Sequence, residues 1–279
     1  MNLNAGRKGV GRERKVDGNT LFEIGSISKT FTSLLLLDMA RTGDVNLDDP
    51  VSKFLPTNVK VPSRGGKQIT LLNLAQQESG LPFNADNHVP GPGAKGFNTY
   101  RADDLYEFLS NHQLTEEPGA AFKYSNVGVT LLGHALDRCH EEDFGTLIRN
   151  RICMPLNMQS TFVTLPTSQE RRLAQGHDWR GTPAKYFDLQ VMQPTGGMKS
   201  TANDLLKYLS AQLGYTQTNL LPLMKRSQKI RHVQMEGFGN TAVPWCDFGV
   251  YEPPGSDFRT HGGGTPGFST FIGMDLGKR

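Results

Sequence analysis

One stretch of this sequence, from about Ile27 to Arg41, reads as a helix that is apolar around most of its circumference. Phe31 and Leu34–Leu37 spread over its faces rather than along one stripe. Such a helix has to be wrapped by the rest of the chain. It is too short and too interrupted by polar residues to span a bilayer. Gly43 is placed to cap its C-terminus. A chain of 279 residues is long enough to build that wrapping, as one large domain or two smaller ones.

The wrapping material divides by character. After the apolar helix, Thr70 is placed to cap a helix running to about Gln77, and residues 102–111 read as a short amphipathic helix. A longer helix is expected from about Val127 to Cys139, with another near 143–152. Thr201 with Asp204 reads as a capping box before Leu205–Leu213. The ends are strand-prone: short extended pieces with an Asp17-Gly18 turn over residues 7–24, and β-compatible runs broken by Gly and Pro from Met235 onward. The expected fold is therefore α/β (α+β): an antiparallel sheet flanked by helices, with an inserted helical domain. Residues 1–25 and 191–279 form the sheet-containing region, residues 26–190 the mostly helical region, and the active site lies between them. The stretches 79–100 and 157–190 read as irregular loops of the kind that rim sites.

Composition excludes several function classes. A net charge of +3 with no long run of like charge gives no footprint for nucleic acid or an anionic membrane. The basic start, Arg7 to Lys15, reads as a tail or strand edge. Cys139, Cys153 and Cys246 are too few for a disulfide framework and lack zinc-site spacing, so buried thiols and no metal or cofactor are expected. No apolar segment follows the basic N-terminus, so no signal peptide is visible. The chain as given is expected to be soluble and cytoplasmic, its natural compartment being unknown.

The residues that carry chemistry begin with Ser26 and Lys29. Three apart at a helix start, they share one face, one turn apart. A serine hydroxyl needs a base to become a nucleophile, and a lysine amine serves when burial lowers its pKa. The helix N-terminus adds N–H groups that suit a developing oxyanion. Chance alone supplies on the order of one such pair in a chain this long, and Ser26 also fits a plain N-cap. A second piece is Tyr124-Ser125-Asn126, just before a helix: the phenol suits proton relay and the amide suits a substrate carbonyl, although both also suit a capping turn. A third is His261-Gly262-Gly263-Gly264, where a glycine strand lets a substrate approach the backbone, or where a turn simply carries a surface histidine. Lys199-Ser200-Thr201 is a rival for the third piece, but it lacks the glycine and Thr201 is already a helix cap.

Together the three pieces resemble the S-x-x-K, S-D-N, K-T-G set of penicillin-interacting enzymes, and the Tyr-led second motif is similar to the class C branch. The phrases Phe22-Glu23-Ile24-Gly25-Ser26-Ile27-Ser28-Lys29-Thr30-Phe31, Ser79-Gly80-Leu81-Pro82, Phe122-Lys123-Tyr124-Ser125-Asn126 and Pro194-Thr195-Gly196-Gly197-Met198 carry the resemblance over residues 20–275. It points to the serine β-lactamase-like superfamily, which includes class C β-lactamases, DD-peptidases and family VIII carboxylesterases. It implies Ser26 as the acylated nucleophile, Lys29 as base and Tyr124 as second relay. It further implies Asn126, His261, Gly262 and Gly263 as substrate-binding residues, and the Ser26 and Gly264 N–H groups as oxyanion hole.

His261 stands where β-lactamases of that branch usually have Lys. Since His is mostly neutral at pH 7, slow β-lactam turnover with better hydrolysis of small esters or amides is expected. Two further readings stay open: a DD-peptidase or acylated sensor with little turnover, and a non-catalytic scaffold. Only about 25 residues precede Ser26 and 15 follow Gly264, so a sheet incomplete at both ends, and self-association to complete it, are expected.

Overall fold

The computed structural model describes residues 15–88, 98–235, 239–242, 245–247 and 257–278. The basic stretch 7–14 and part of the 79–100 loop lie outside the described residues.

The chain enters through a short strand, β1 (Leu21–Glu23), and a single 3₁₀ turn, Gly25–Ile27, that delivers it into α1 (Ser28–Thr42). Every residue of α1 from Ser28 to Met39 is buried, as the all-round apolar pattern requires. Gly43, at φ 82°, takes the left-handed conformation that ends the helix. Asp38 is the charge buried on α1, and it is met by Arg41 at 2.6 Å and Arg151 at 3.3 Å.

Helices wrap one side of α1. Thr70 caps α2 (Leu71–Ala75) through a reciprocal capping box with Asn73, and α3 (Ala102–Asn111) follows. Ser125 caps α4 (Asn126–His140), its hydroxyl accepting from the Gly128 N–H at 2.9 Å. The chain then returns through β2 (Lys199–Thr201), which pairs antiparallel with β1, Glu23 standing opposite Lys199. Thr201 caps α5 (Ala202–Gln212) as expected. The capping-box reading of Asp204 needs correction: its carboxylate accepts from the Ser160 N–H at 2.7 Å and from Lys207 at 2.9 Å, pinning a neighbouring loop instead.

On the other side lies an antiparallel sheet in the order β3 (Ile230–Met235), β4 (Gly239–Ala242), β5 (Cys246–Asp247), β6 (Phe258–Gly264), β7 (Ser269–Asp275). The fold is thus α/β, with an antiparallel sheet and helices packed around a shared core. Phe31 of α1 stacks on Tyr208 at 4.2 Å, and Tyr208 on Trp245 at 6.4 Å, which ties α1, α5 and the sheet side together. Among the described residues β1 pairs with β2 and not with the five-stranded sheet. No described helix is long and apolar enough to cross a membrane.

Candidate active site

Two glycines bring the strand β6 against the turn that carries Ser26. Gly25 has φ +52°, and a Cβ there would lie 2.6 Å from the Gly264 nitrogen. A Cβ on Gly263 would lie 2.0 Å from the Ile24 carbonyl oxygen. Neither position admits a side chain, so the two backbones touch. Thr270 of β7 fastens the contact, its hydroxyl lying 3.0 Å from the Ile24 carbonyl oxygen. The glycine strand was read as making room for substrate. At Gly263 the room is taken by the chain itself, whereas Gly264 has nothing within 4 Å of the Cβ it lacks.

Lys29 sits one turn after Ser26, its Nζ 2.9 Å from Ser26 Oγ and 2.7 Å from the Thr195 carbonyl oxygen. A carbonyl only accepts, so one N–H of Lys29 is committed to Thr195 and the amine is oriented with respect to Ser26. Lys29 is 1% exposed. Burial lowers its pKa well below the ordinary lysine value. Such an amine reaches the neutral form that can take a proton from the serine hydroxyl.

Tyr124 is brought to the same place, with Lys29 Nζ 5.0 Å from its ring centroid. Asn126 accepts from the Thr195 hydroxyl at 3.2 Å and donates to Asn84 Oδ1 at 3.1 Å. The segment is held by Gln77, whose Oε1 accepts the Ser125 N–H at 2.7 Å.

His261 is 5% exposed on β6. Its Nδ1 lies 2.7 Å from the Gly262 carbonyl oxygen; since that oxygen accepts, Nδ1 carries the proton of the neutral ring and Nε2 is an acceptor. Burial first, then the nearby Lys29, lower its pKa to about 4, against the raising effect of the Gly262 carbonyl. At pH 7 this ring is not a cation.

These elements enclose a cavity of about 250 Å³. Ser26, Asn126, Thr195, Gly196 and Gly264 line its polar side. Phe187, Leu189, Met192, Thr265 and Pro266 line the remainder. His261, Gly262 and Gly263 are not among the lining residues, nor is Lys199, the rival motif, which is buried opposite Glu23. Among the described residues no cluster of His, Cys, Asp or Glu is arranged to hold a metal ion.

The family model described as beta-lactamase matches residues 1–279. The chain belongs to the beta-lactamase family. It is 30% identical to the D-alanyl-D-alanine-carboxypeptidase/endopeptidase AmpH of Escherichia coli strain K12 over 270 residues, 92% of this chain and 68% of that protein. It is 28% identical to a beta-lactamase of Yersinia enterocolitica over 76% of this chain and 51% of that protein. Among solved structures, a beta-lactamase/D-alanine carboxypeptidase from Yersinia pestis complexed with citrate superposes with TM-score 0.81 at 27% identity, covering 98% of this chain and 80% of that one. This beta-lactamase-family chain is a serine hydrolase, and its fold is the fold of those structures.

Sequence reasoning on this family member missed Thr195, whose carbonyl orients Lys29, and Gln77, which fixes Ser125. The quoted phrase Pro194-Thr195-Gly196-Gly197-Met198 was the available signal for the first; nothing local marks the second.

Proposed function

We propose that this chain hydrolyses small esters or amides of uncharged acyl groups through an acyl-enzyme on Ser26. The neutral amine of Lys29 takes the proton from Ser26 Oγ, and Oγ bonds to the substrate carbonyl carbon. The oxyanion is received by the main-chain N–H groups of Ser26 and Gly264. The tetrahedral intermediate collapses with cleavage of the carbonyl carbon–oxygen or carbon–nitrogen bond, Tyr124 passes the proton to the departing alcohol or amine, and Asn126 holds the acyl-side carbonyl or amide. Water then attacks the acyl carbon, the bond from that carbon to Ser26 Oγ breaks, the carboxylic acid departs, and the proton taken from water passes through the same groups to Oγ, restoring Ser26. No step calls for a metal or organic cofactor.

The supporting observation is the absence of charge around the cavity. Among the described residues its lining contains no charged side chain, and His261 is a buried neutral ring with an acceptor nitrogen. Among the described lining residues a substrate carboxylate finds no cation, and the nearby amine of Lys29 acts in its neutral form. β-Lactams carry such a carboxylate, so an uncharged ester fits better. Steady-state kinetics on a chromogenic cephalosporin and on p-nitrophenyl acetate test this. The ester is expected to have the higher kcat/KM; a cephalosporin value far above it overturns the reading.

A second reading rests on the 30% identity to AmpH, a carboxypeptidase that by its name acts at D-alanyl-D-alanine. Release of D-alanine from such a peptide, faster than release of p-nitrophenol from the ester, would favour it. Stable labelling by a fluorescent penicillin with no turnover of either substrate would mark an acylated sensor instead.

A further inference from the structure

Glu23 is a carboxylate buried to 2% exposure three residues before Ser26, and the chemistry proposed above does not use it. Its Oε1 accepts the main-chain N–H of Phe187 at 2.7 Å. Among the described residues its Oε2 has no hydrogen-bond partner. A buried carboxylate is costly unless it is paired or hydrogen-bonded. Its cross-strand neighbour Lys199 is itself 9% exposed, with Nζ donating to the Gly197 carbonyl at 2.9 Å and lying 3.5 Å from that of Phe187. Burial lowers the Lys199 pKa, and Glu23 and Asp188 work against that shift.

Phe187 is the residue at which three cavities meet. It lines the 250 Å³ cavity at Ser26, a 720 Å³ cavity that Lys199 also lines, and a 540 Å³ cavity beside Pro266. The first is smaller than the roughly 300–1,000 Å³ of ordinary small-molecule sites. The wall at residue 187 therefore decides whether an acyl chain ends inside the first cavity or continues into a larger one. The strand that delivers Ser26 also holds that wall, since Glu23 reaches residue 187 from the end of β1.

We infer that Glu23, backed by Lys199, is a positioning residue that fixes the Phe187 wall beside Ser26 and so restricts the enzyme to short acyl groups. The selectivity part rests on the ester-hydrolysis reading above, while the clamp itself does not. Displacing the wall opens the 250 Å³ cavity toward its neighbours. This admits long acyl chains, so kcat/KM for long substrates rises relative to that for short ones.

The test measures kcat/KM for p-nitrophenyl acetate and p-nitrophenyl octanoate, with amide hydrogen exchange at residue 187 alongside. The native enzyme prefers acetate. Phe187→Ala and Glu23→Leu raise the octanoate-to-acetate ratio by about tenfold or more, the scale on which pocket shape discriminates chain length. Glu23→Gln, which keeps an acceptor for the Phe187 N–H, restores the ratio that Glu23→Leu loses. Exchange at the Phe187 amide is faster in Glu23→Leu than in the native protein. A purely structural role would lower both substrates together and leave the ratio alone, and that result overturns the inference. Unchanged exchange at residue 187 overturns the clamp. If Glu23→Leu does not fold, Glu23→Asp, whose shorter side chain withdraws the acceptor, is read by the same exchange and the same ratio. If the native enzyme cleaves no ester but residue 187 exchanges faster in the variant, the ester reading falls and the clamp stands.

Discussion

Gly263 and Ile24 are in backbone contact, so close that a Cβ on Gly263 would lie 2.0 Å from the Ile24 carbonyl oxygen. The contact joins the strand bearing Gly264 to the turn bearing Ser26, and the distance between the two proposed oxyanion donors depends on it. Gly263→Ala must push the strand away. A displacement of about 1 Å at a reacting centre costs on the order of 100-fold. We expect labelling of Ser26 by a phosphonate ester probe to slow by about that factor in Gly263→Ala, with a lowered Tm. Gly264→Ala is the contrast: its Cβ meets nothing within 4 Å, so its Tm is expected to stay at the native value. Equal melting losses in the two variants would contradict this account of the contact.

In the proposed reaction we expect Lys29 to set the acid limb. The amine has to be neutral to accept the Ser26 proton, and burial lowers its pKa well below the ordinary lysine value. Activity is therefore present above that lowered pKa and falls as pH drops through it. Lys29→Arg keeps a charge that does not come off, and Lys29→Met removes the base. Both are expected to lose about a thousandfold in kcat, within the usual range for a positioned general base. A pH–rate profile for p-nitrophenyl acetate checks the limb; an acid limb that persists at the same pH in the residual activity of Lys29→Met would assign it elsewhere.

The features legible in the sequence are those with a local signature. The buried α1 was visible in its all-round apolar pattern, and the caps at Gly43, Thr70 and Thr201 in single residues beside a change of periodicity. Helical spacing sets Ser26 and Lys29 on one face, but such a pair is no rarer than chance, and it stood out, like Tyr124, Asn126 and the 261–264 run, only through the order of the motifs. What stayed hidden is long-range. The Thr195 carbonyl that orients Lys29 lies 166 residues away, and the Phe187 amide held by Glu23 lies 164 residues away. Backbone acceptors and donors carry no residue-type signal at all. Asp204 misled because a capping box and a carboxylate spent on a distant loop have the same sequence. Gly263 is in addition the glycine at which the chain itself takes the room, and in sequence that looks the same as room for a ligand.

Gln77 is a non-glycine residue at φ 62°, an uncommon conformation held because its side chain and backbone are both engaged. Its Oε1 accepts the Ser125 N–H at 2.7 Å and its carbonyl accepts the Lys123 N–H at 2.6 Å, on either side of Tyr124. Gln77→Ala leaves the buried Ser125 N–H without its acceptor, a cost of about 1–3 kcal/mol. We expect reduced stability in urea and a lowered kcat with little change in KM, since Tyr124 would lose its fixed position beside Lys29. Gln77→Glu retains an acceptor and should recover most of kcat; failure to do so would separate Gln77 from the relay.

A buried histidine, His261, and a half-buried one, His134, make the native state sensitive to mild acid. His261 and His134 both have pKa values lowered to about 4, chiefly by burial. An unfolded chain protonates these rings near pH 6.5, while the folded chain resists until about 4. Between those values the unfolded state binds more protons, so stability falls as pH drops from about 6.5 to 4 and levels off below. For His261, the more deeply buried of the two, the loss is on the order of 3 kcal/mol. His261→Asn replaces the ring with an amide that can still donate to the Gly262 carbonyl and does not titrate. Urea denaturation at pH 7 and pH 4 should show a smaller loss in His261→Asn than in the native chain. His261→Lys should lower stability at pH 7, because it buries an ammonium beside Lys29. A native-like Tm in His261→Lys, together with an unchanged pH 7-to-4 loss in His261→Asn, would mean that the ring titrates at its ordinary value and is not buried as a neutral acceptor.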